Sequence, residues 1–179
     1  MSRLPASSAR SALAGEPLPH RRREALSRRP EARTVTGEAP DDALDCALRA
    51  LEHRDRTQLE IDRHLRARGY SDAECARVLT ALRRTGLVDD ERFAQSRAAS
   101  LASRGAGDAL VRARLAEAGV TIDDADEAVA TLESEAMRAR RIVATRGASA
   151  KTARYLYGKG FSEDVVSGAV ADGADREIG

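Results

Sequence analysis

Gly86-Leu87-Val88-Asp89-Asp90-Glu91-Arg92-Phe93-Ala94 decides how this chain is divided. Helical spacing of apolar residues stops before it and resumes after it. Gly86 can adopt the left-handed conformation that closes a helix. Asp89 suits an N-cap, because its carboxylate can accept from the free N–H groups of the following turn. Asp90 and Glu91 then set negative charge against the positive end of the new helix dipole. Val88 and Phe93 have the N′ and N4 spacing of a hydrophobic staple. The stretch reads as the joint between two helical units. Phe93 is expected to be a core anchor there, its replacement by alanine costing about 3–5 kcal/mol.

Working back from the joint, three helices precede it. Leu44, Ala47, Leu48 and Leu51 keep helical spacing from Asp41 to about His53. Thr57-Gln58-Leu59-Glu60 has the form of a capping box and opens a helix that carries Leu59, Ile61 and Leu65 and ends at Gly69. Ser71-Asp72-Ala73-Glu74 is a second capping box, with Tyr70 and Cys75 as its staple. That helix carries Val78, Leu79 and Leu82 and stops at Gly86.

Working forward, the pattern recurs. Asp89 opens a helix through Phe93, Ala94, Ala98 and Leu101 to about Arg104-Gly105. A second runs from about Asp108 through Leu110, Val111 and Leu115 to Gly119, and a third from about Asp123 through Val129 to Leu132. The last round has a helix from Glu133 to about Arg146, one from Ser149 or Ala150 that breaks at Gly158–Gly160, and one capped by Ser162 that carries Val165, Val166 and Val170. No sustained period-2 alternation of β-branched and aromatic residues signals a strand. The expected fold is all-α. Three tandem three-helix repeats (residues 41–86, 87–132 and 133–172) form an elongated, curved array, with a disordered basic tail at 1–40 and a short C-terminal tail at 173–179.

The rounds align on particular residues. Leu65-x-x-x-Gly69-Tyr70 matches Leu115-x-x-x-Gly119-Val120 and Leu156-x-x-x-Gly160-Phe161. Each glycine can end a middle helix, and each apolar residue after it can fix the entry to the next. Arg54, Arg104 and Arg146 recur where the first helix of each round ends. Arginine there satisfies carbonyls and the helix dipole. Three at equivalent places could instead form a periodic contact surface. One three-helix unit has a small core, so neighbouring units must stack or share surface.

Composition bounds the function. The 179 residues hold 30 basic and 29 acidic side chains, a formal charge of +1. Residues 1–40 carry eight arginines against four glutamates and all five prolines, whereas residues 41–179 carry 22 basic against 25 acidic residues. A folded part with net negative charge argues against an autonomous DNA-binding domain. Cys46 and Cys75 match no metal spacing and are too few for a disulfide framework, which predicts buried reduced thiols. No apolar run approaches membrane-spanning length and the N-terminus has no signal-like apolar region, so a cytoplasmic protein is expected.

No catalytic constellation emerges. Gly147-Ala148-Ser149-Ala150-Lys151-Thr152 has some letters of a phosphate-binding loop but lacks the glycine before Lys151 and a preceding strand. His20, His53 and His64 have no partners at ligand spacing. Asp89, Asp90 and Glu91 are consecutive, and consecutive residues on a helix do not converge on one metal ion. The expectation is a protein that is not an enzyme and holds no cofactor or metal. What remains is surface: Arg63 and Arg66 on the first middle helix, Arg112 and Arg114 on the second, Arg138 and Arg141 on the last opening helix. Read from spacing, these arginines face solvent. A solvated face is their ordinary use; lined up on one concave side they would contact an acidic protein surface or phosphates.

The joint stretch, with Arg104-Gly105-Ala106-Gly107 and Leu115-Ala116-Glu117-Ala118-Gly119-Val120, resembles the RecX family of recombination regulators, and Thr57-Gln58-Leu59-Glu60…Leu65…Gly69-Tyr70 resembles that family's preceding repeat. The resemblance covers about residues 41–172. It departs at Arg97, where the family often has an aromatic residue, and at Asp108, where a proline often follows the glycine. It implies three tandem three-helix repeats that bind RecA, the bacterial strand-exchange ATPase. Such a protein lies along the groove of the RecA–DNA filament as a monomer and restrains ATP hydrolysis and strand exchange, with at most a weak direct contact to DNA. On that reading Arg54, Arg63, Arg66, Arg104, Arg112, Arg114, Arg138, Arg141 and Arg146 are the partner-binding candidates. Asp89, Asp90, Phe93, Gly69, Gly119 and Gly160 are structural. The alternatives are a helical DNA-binding module built on the arginine-rich helices and a helical-repeat scaffold for another protein.

Overall fold

The computed structural model describes residues 40–178, so the expected N-terminal tail lies outside the described residues apart from Pro40. Every regular element among the described residues is a helix. The first repeat comprises α1 (Pro40–His53), α2 (Gln58–Arg66) and α3 (Asp72–Arg84). The second comprises α4 (Asp90–Ser103), α5 (Asp108–Glu117) and α6 (Ile122–Ala130), and the third α7 (Glu135–Arg146), α8 (Ala150–Gly158) and α9 (Glu163–Ile178). No described helix is long and apolar enough to cross a membrane.

The aligned Leu-x-x-x-Gly-apolar segments share one physical origin. In each, the residue after glycine donates back to the leucine carbonyl: Tyr70 N to Leu65 O, Val120 N to Leu115 O and Phe161 N to Leu156 O, at 3.1–3.3 Å. This is the Schellman closure, which needs a left-handed residue before the apolar one. Gly69, Gly119 and Gly160 supply it, with φ of 89°, 87° and 80°. The leucines are fully buried, so one motif both ends the helix and seeds a core.

Each repeat has its own core. In the first, Ile61, Leu65, Cys75, Val78 and Leu82 meet an alanine face of α1 formed by Ala43, Ala47 and Ala50. In the second, Ala94 and Ala98 of α4 face Val111, Leu115, Ala128 and Val129. In the third, Ala139 and Val143 of α7 meet Leu156, Phe161, Val166 and Ala169. Alanine on the opening helices lets the first and third helices of a repeat approach closely, which stands in for the scarce aromatics. Helices pack mainly within their own repeat, and contact between repeats is confined to the joints.

Four details differ from expectation. Val88 and Phe93 do not staple one helix: Val88 is buried in the first core, while Phe93 is half-buried against the second. The anchor expected at Phe93 is therefore split between two cores. At Thr57 only half of the capping box forms: Thr57 Oγ accepts from Glu60 N at 3.2 Å, but the Glu60 carboxylate turns to Arg54 instead. The C-terminal tail expected at 173–179 is helix through Ile178. Gly173 packs so tightly that a β-carbon there would lie 2.6 Å from Val143 Cγ1, which draws the end of α9 onto α7. Finally, Cys75 is buried as expected, but Cys46 is only half-buried; both thiols are free.

Candidate functional site

The joint between the first two repeats brings the start of α2 against the end of α5. Thr57, fully buried, donates its hydroxyl to Ala118 O at 2.5 Å. Gly119 sits against Leu59, where a β-carbon would lie 2.3 Å from Leu59 Cδ2. Asp90, the first residue of α4, accepts from Gln58 N at 2.9 Å and from Gln58 Nε2 at 3.2 Å. Its carboxylate thus holds the N-terminus of a helix in the preceding repeat as well as beginning its own. Asp89 is the N-cap, accepting from Arg92 N at 2.9 Å.

The second joint repeats this plan with other atoms. Glu135, first in α7, accepts from Asp108 N, first in α5, at 2.8 Å, and also from the Ser162 hydroxyl at 3.0 Å. Gly107 stands where Thr57 stands in the first joint, and the backbone itself closes the contact. Gly107 N donates to Lys159 O at 2.8 Å and Ala109 N to Gly160 O at 3.2 Å. Gly69 ends α2 in the same way as Gly119 and Gly160 end their helices, yet nothing among the described residues lies within 4 Å of a β-carbon there. No described repeat precedes it to fill that space.

Arg138 was expected on the surface and is instead buried, 6% exposed. It donates to Ala106 O at 2.5 Å and Glu133 O at 3.0 Å, pairs with Asp108, and lies over the Phe161 ring. The apolar spacing of α7 gave no sign of this, because Ala106 and Asp108 come from the preceding repeat.

Beside the first joint opens a cleft of about 570 Å³, with Phe93, Arg97, Arg54 and Arg114 on its walls. Arg54 is bound by both Glu60 carboxylate oxygens, at 2.7 and 3.0 Å, which raises its already high pKa. Arg114 pairs with Glu117 at 2.7 Å. Arg97 is exposed and has no hydrogen bond or ion pair among the described residues.

The remaining candidates scatter. Arg66 pairs with Asp62 at 2.6 Å and with Asp72. Arg112 pairs with Asp126 at 2.6 Å, and Arg141 with Glu133. Arg146 lies 4.0 Å from the centre of the Tyr155 ring. Arg63 and Arg104 are exposed and unpaired among the described residues. The three arginines that end the opening helices thus do three different things. Sequence reading passed over Thr57, Gln58, Gly107 and Glu135 as joint residues. Arg97 was visible only as a departure from a motif. Among the described residues no three His, Cys, Asp or Glu side chains are grouped to hold a metal ion.

Comparison with known proteins follows this architecture. A family model described as RecX, first three-helix domain, matches residues 43–82. A regulatory protein RecX of Halorhodospira halophila is 32% identical over 145 residues, covering 75% of this chain and 90% of that protein. One of Chromohalobacter salexigens is 36% identical over 139 residues, covering 71% of this chain and 90% of that protein. The crystal structure of RecX from Lactobacillus salivarius superposes with a TM-score of 0.66, over 74% of this chain and 95% of that one, at 17% identity. At that identity the likeness is one of fold.

Proposed function

The chain belongs to the RecX family of regulatory proteins, and from that premise we propose that it binds RecA and its DNA filament and restrains ATP hydrolysis and strand exchange. It acts without catalysis, as a cytoplasmic monomer, by occupying its partner. The observation that carries this reading is the division of the chain into three separate cores linked by specific joints. Such a chain offers successive surfaces at fixed spacing, and modest contacts along a periodic partner add through effective concentration. The cleft beside the first joint is the docking face this reading favours. It combines Arg97, a charge unpaired among the described residues, with the half-buried ring of Phe93, and aromatic and arginine side chains dominate binding hot spots. Arg63 and Arg104 extend the candidate surface. Arg138 is assigned to the second joint.

The test is RecA ATPase on single-stranded DNA with and without this protein, together with co-sedimentation on filaments. Inhibition with co-sedimentation is expected; neither effect would remove the proposal. An autonomous DNA-binding module has less support. Residues 41–179 are net acidic, and most of the nominated arginines already have carboxylate partners.

A further inference from the structure

The two joints are built on equivalent positions but are closed to different depths. At the second, contact continues beyond the backbone pairing at Gly107. A β-carbon on Gly105 would lie 3.6 Å from Ile142 Cδ1 and 3.8 Å from the Tyr155 hydroxyl, so the turn before α5 rests against both α7 and α8. The Tyr155 ring is held in turn by Arg146, 4.0 Å from its centre. At the first joint the same three places hold charges. Asp55 stands two residues before Thr57, as Gly105 stands two before Gly107. Arg97 is the eighth residue of α4, as Ile142 is of α7. Arg114 precedes Leu115, as Tyr155 precedes Leu156. Asp55, Arg97 and Arg114 are all exposed and line the cleft of about 570 Å³. That cleft is the space that Ile142 and Tyr155 fill one repeat later.

What holds the first joint is concentrated at one point. Among the described residues its crossing hydrogen bonds join the adjacent Thr57 and Gln58 to Ala118 and Asp90, and no backbone-to-backbone bond crosses it. Leu59 against Gly119 adds an apolar contact beside them. Asp90 is also the residue at which the chain begins α4, so the covalent link and the hydrogen bonds meet in one place. Bonds gathered at a point resist translation more than rotation, and a small polar interface between packed units leaves relative motion as the default. The second joint is spread out. Gly107 and Ala109 pair with the end of α8, Glu135 holds Asp108 and Ser162 together, and buried Arg138 reaches Ala106 and Asp108. Anchors on three helices resist rotation as well.

We propose that the first joint is a hinge: the first repeat swings about Thr57, Gln58 and Asp90 against a rigid body made of the second and third repeats, and the cleft beside the hinge closes on its occupant. The charges set the resting position. Arg54, Asp55 and Glu60 of the first repeat share the cleft with Arg97, Arg114 and Glu117 of the second, so the cations and anions balance. Closing the empty gap would strip water from all six, a cost that their mutual pairing does not offset. The free joint therefore rests open. A partner segment that brings polar groups of its own, and an apolar side chain to set against Phe93, replaces that water and lets the gap close, as hinged units close on a ligand. The closure rests on the docking face proposed for RecA. The hinge does not, and it shows in the free protein.

The experiment is pulsed electron resonance of the full chain with pairs of spin labels. Ala73, Asp123 and Asp164 are exposed and each lies four residues after a closing glycine, so they mark equivalent points in the three repeats. Ala73→Cys with Asp123→Cys spans the first joint, and Asp123→Cys with Asp164→Cys spans the second. Both pairs carry Cys46→Ser, while Cys75, 1% exposed, is out of the label's reach. The distance distribution is expected to be about twofold wider across the first joint than across the second. Asp55→Gly with Arg97→Ile and Arg114→Tyr gives the first joint the residues of the second, and is expected to narrow the first distribution to the width of the other. Arg83→Gln with Arg84→Gln, on α3 outside the cleft, is expected to leave it wide. Equal widths in the parent overturn the hinge, and so does a triple variant that stays wide. On RecA filaments the parent's first distribution is expected to narrow. A chain that co-sediments with filaments and stays wide overturns closure on the occupant, whereas a chain that does not co-sediment removes the docking face and leaves the hinge to the comparison of widths.

Discussion

Phe93 and Arg138 hold the same place in successive repeats: each is the fourth residue of an opening helix, α4 from Asp90 and α7 from Glu135. Their environments diverge because the joints do. At the first joint Thr57 reaches across with a side chain, and a cleft is left open beside Phe93. At the second joint Gly107 lets backbone meet backbone, and Arg138 fills the space with hydrogen bonds to Ala106 and Glu133 and an ion pair to Asp108.

Arg138→Met should therefore destabilise more than Phe93→Ala. The methionine keeps the apolar stem but leaves Ala106 O and the Asp108 carboxylate without a donor, at a cost of about 3 kcal/mol. Phe93→Ala loses only part of a ring's burial, about 2 kcal/mol, less than a fully buried anchor would cost. Urea unfolding of both variants checks the order; a larger loss at Phe93 would show that the first joint, not the second, is the tighter one.

The glycines separate strain from contact. Gly69→Ala meets no atom of the described residues within 4 Å and should cost about 1 kcal/mol for the left-handed backbone alone. Gly107 has an ordinary φ of −79°, but a β-carbon there would lie 2.4 Å from the Gly160 backbone. Gly107→Ala must open the second joint and release the Gly107 and Ala109 N–H groups. Amide hydrogen exchange at those two positions should accelerate in Gly107→Ala and stay unchanged in Gly69→Ala. Unchanged exchange in both would mean that the backbone pairing between repeats does not hold the joint.

The repeats were legible because their signals are local. A capping residue, an apolar face and a Leu-x-x-x-Gly closure all act within one helix and its turn, and the nine helices among the described residues follow from them. The joints were not legible, because their contacts are long-range. Thr57 is an N-cap by sequence, and only the fold brings Ala118 to its hydroxyl. Arg138 has the periodicity of a solvent-facing residue, and its partners arrive from the preceding repeat. The ion pairs of the exposed arginines were hidden for a related reason. Arg66, Arg112 and Arg141 acquire carboxylates whose positions spacing alone does not fix, whereas Arg97 acquires none among the described residues.

The capping box at Ser71 gives a pH signature. Glu74 accepts from Ser71 N at 2.7 Å and from the Ser71 hydroxyl at 2.6 Å, and these bonds hold its pKa below the ordinary carboxylate value. A depressed folded pKa contributes stability that is present above the unfolded value and lost as pH falls through the folded one. Acid titration of stability below about pH 4.5 should therefore show a drop that Ser71→Ala reduces. Parallel acid limbs for the two proteins would show that Glu74 is not held by Ser71 in solution.

The partner surface gives the sharpest contrast among arginines. Arg112 and Arg97 are both exposed, but Arg112 is already neutralised by Asp126 at 2.6 Å, and docking would have to break or share that pair. Arg97 has no such pair among the described residues to surrender. Reversing its charge removes an attraction and adds a repulsion at a cleft that Phe93 makes partly apolar, where desolvation strengthens charge pairing. Arg97→Glu should raise the protein concentration that half-inhibits RecA ATPase by about tenfold, equivalent to about 1.4 kcal/mol. Arg112→Glu should raise it by less than threefold. Both variants should keep the parent's urea midpoint, since neither side chain is buried. If Arg112→Glu is the more damaging, the docking face lies on the other side of the second repeat, and the cleft at the first joint is only the space that two imperfectly matched repeats leave between them.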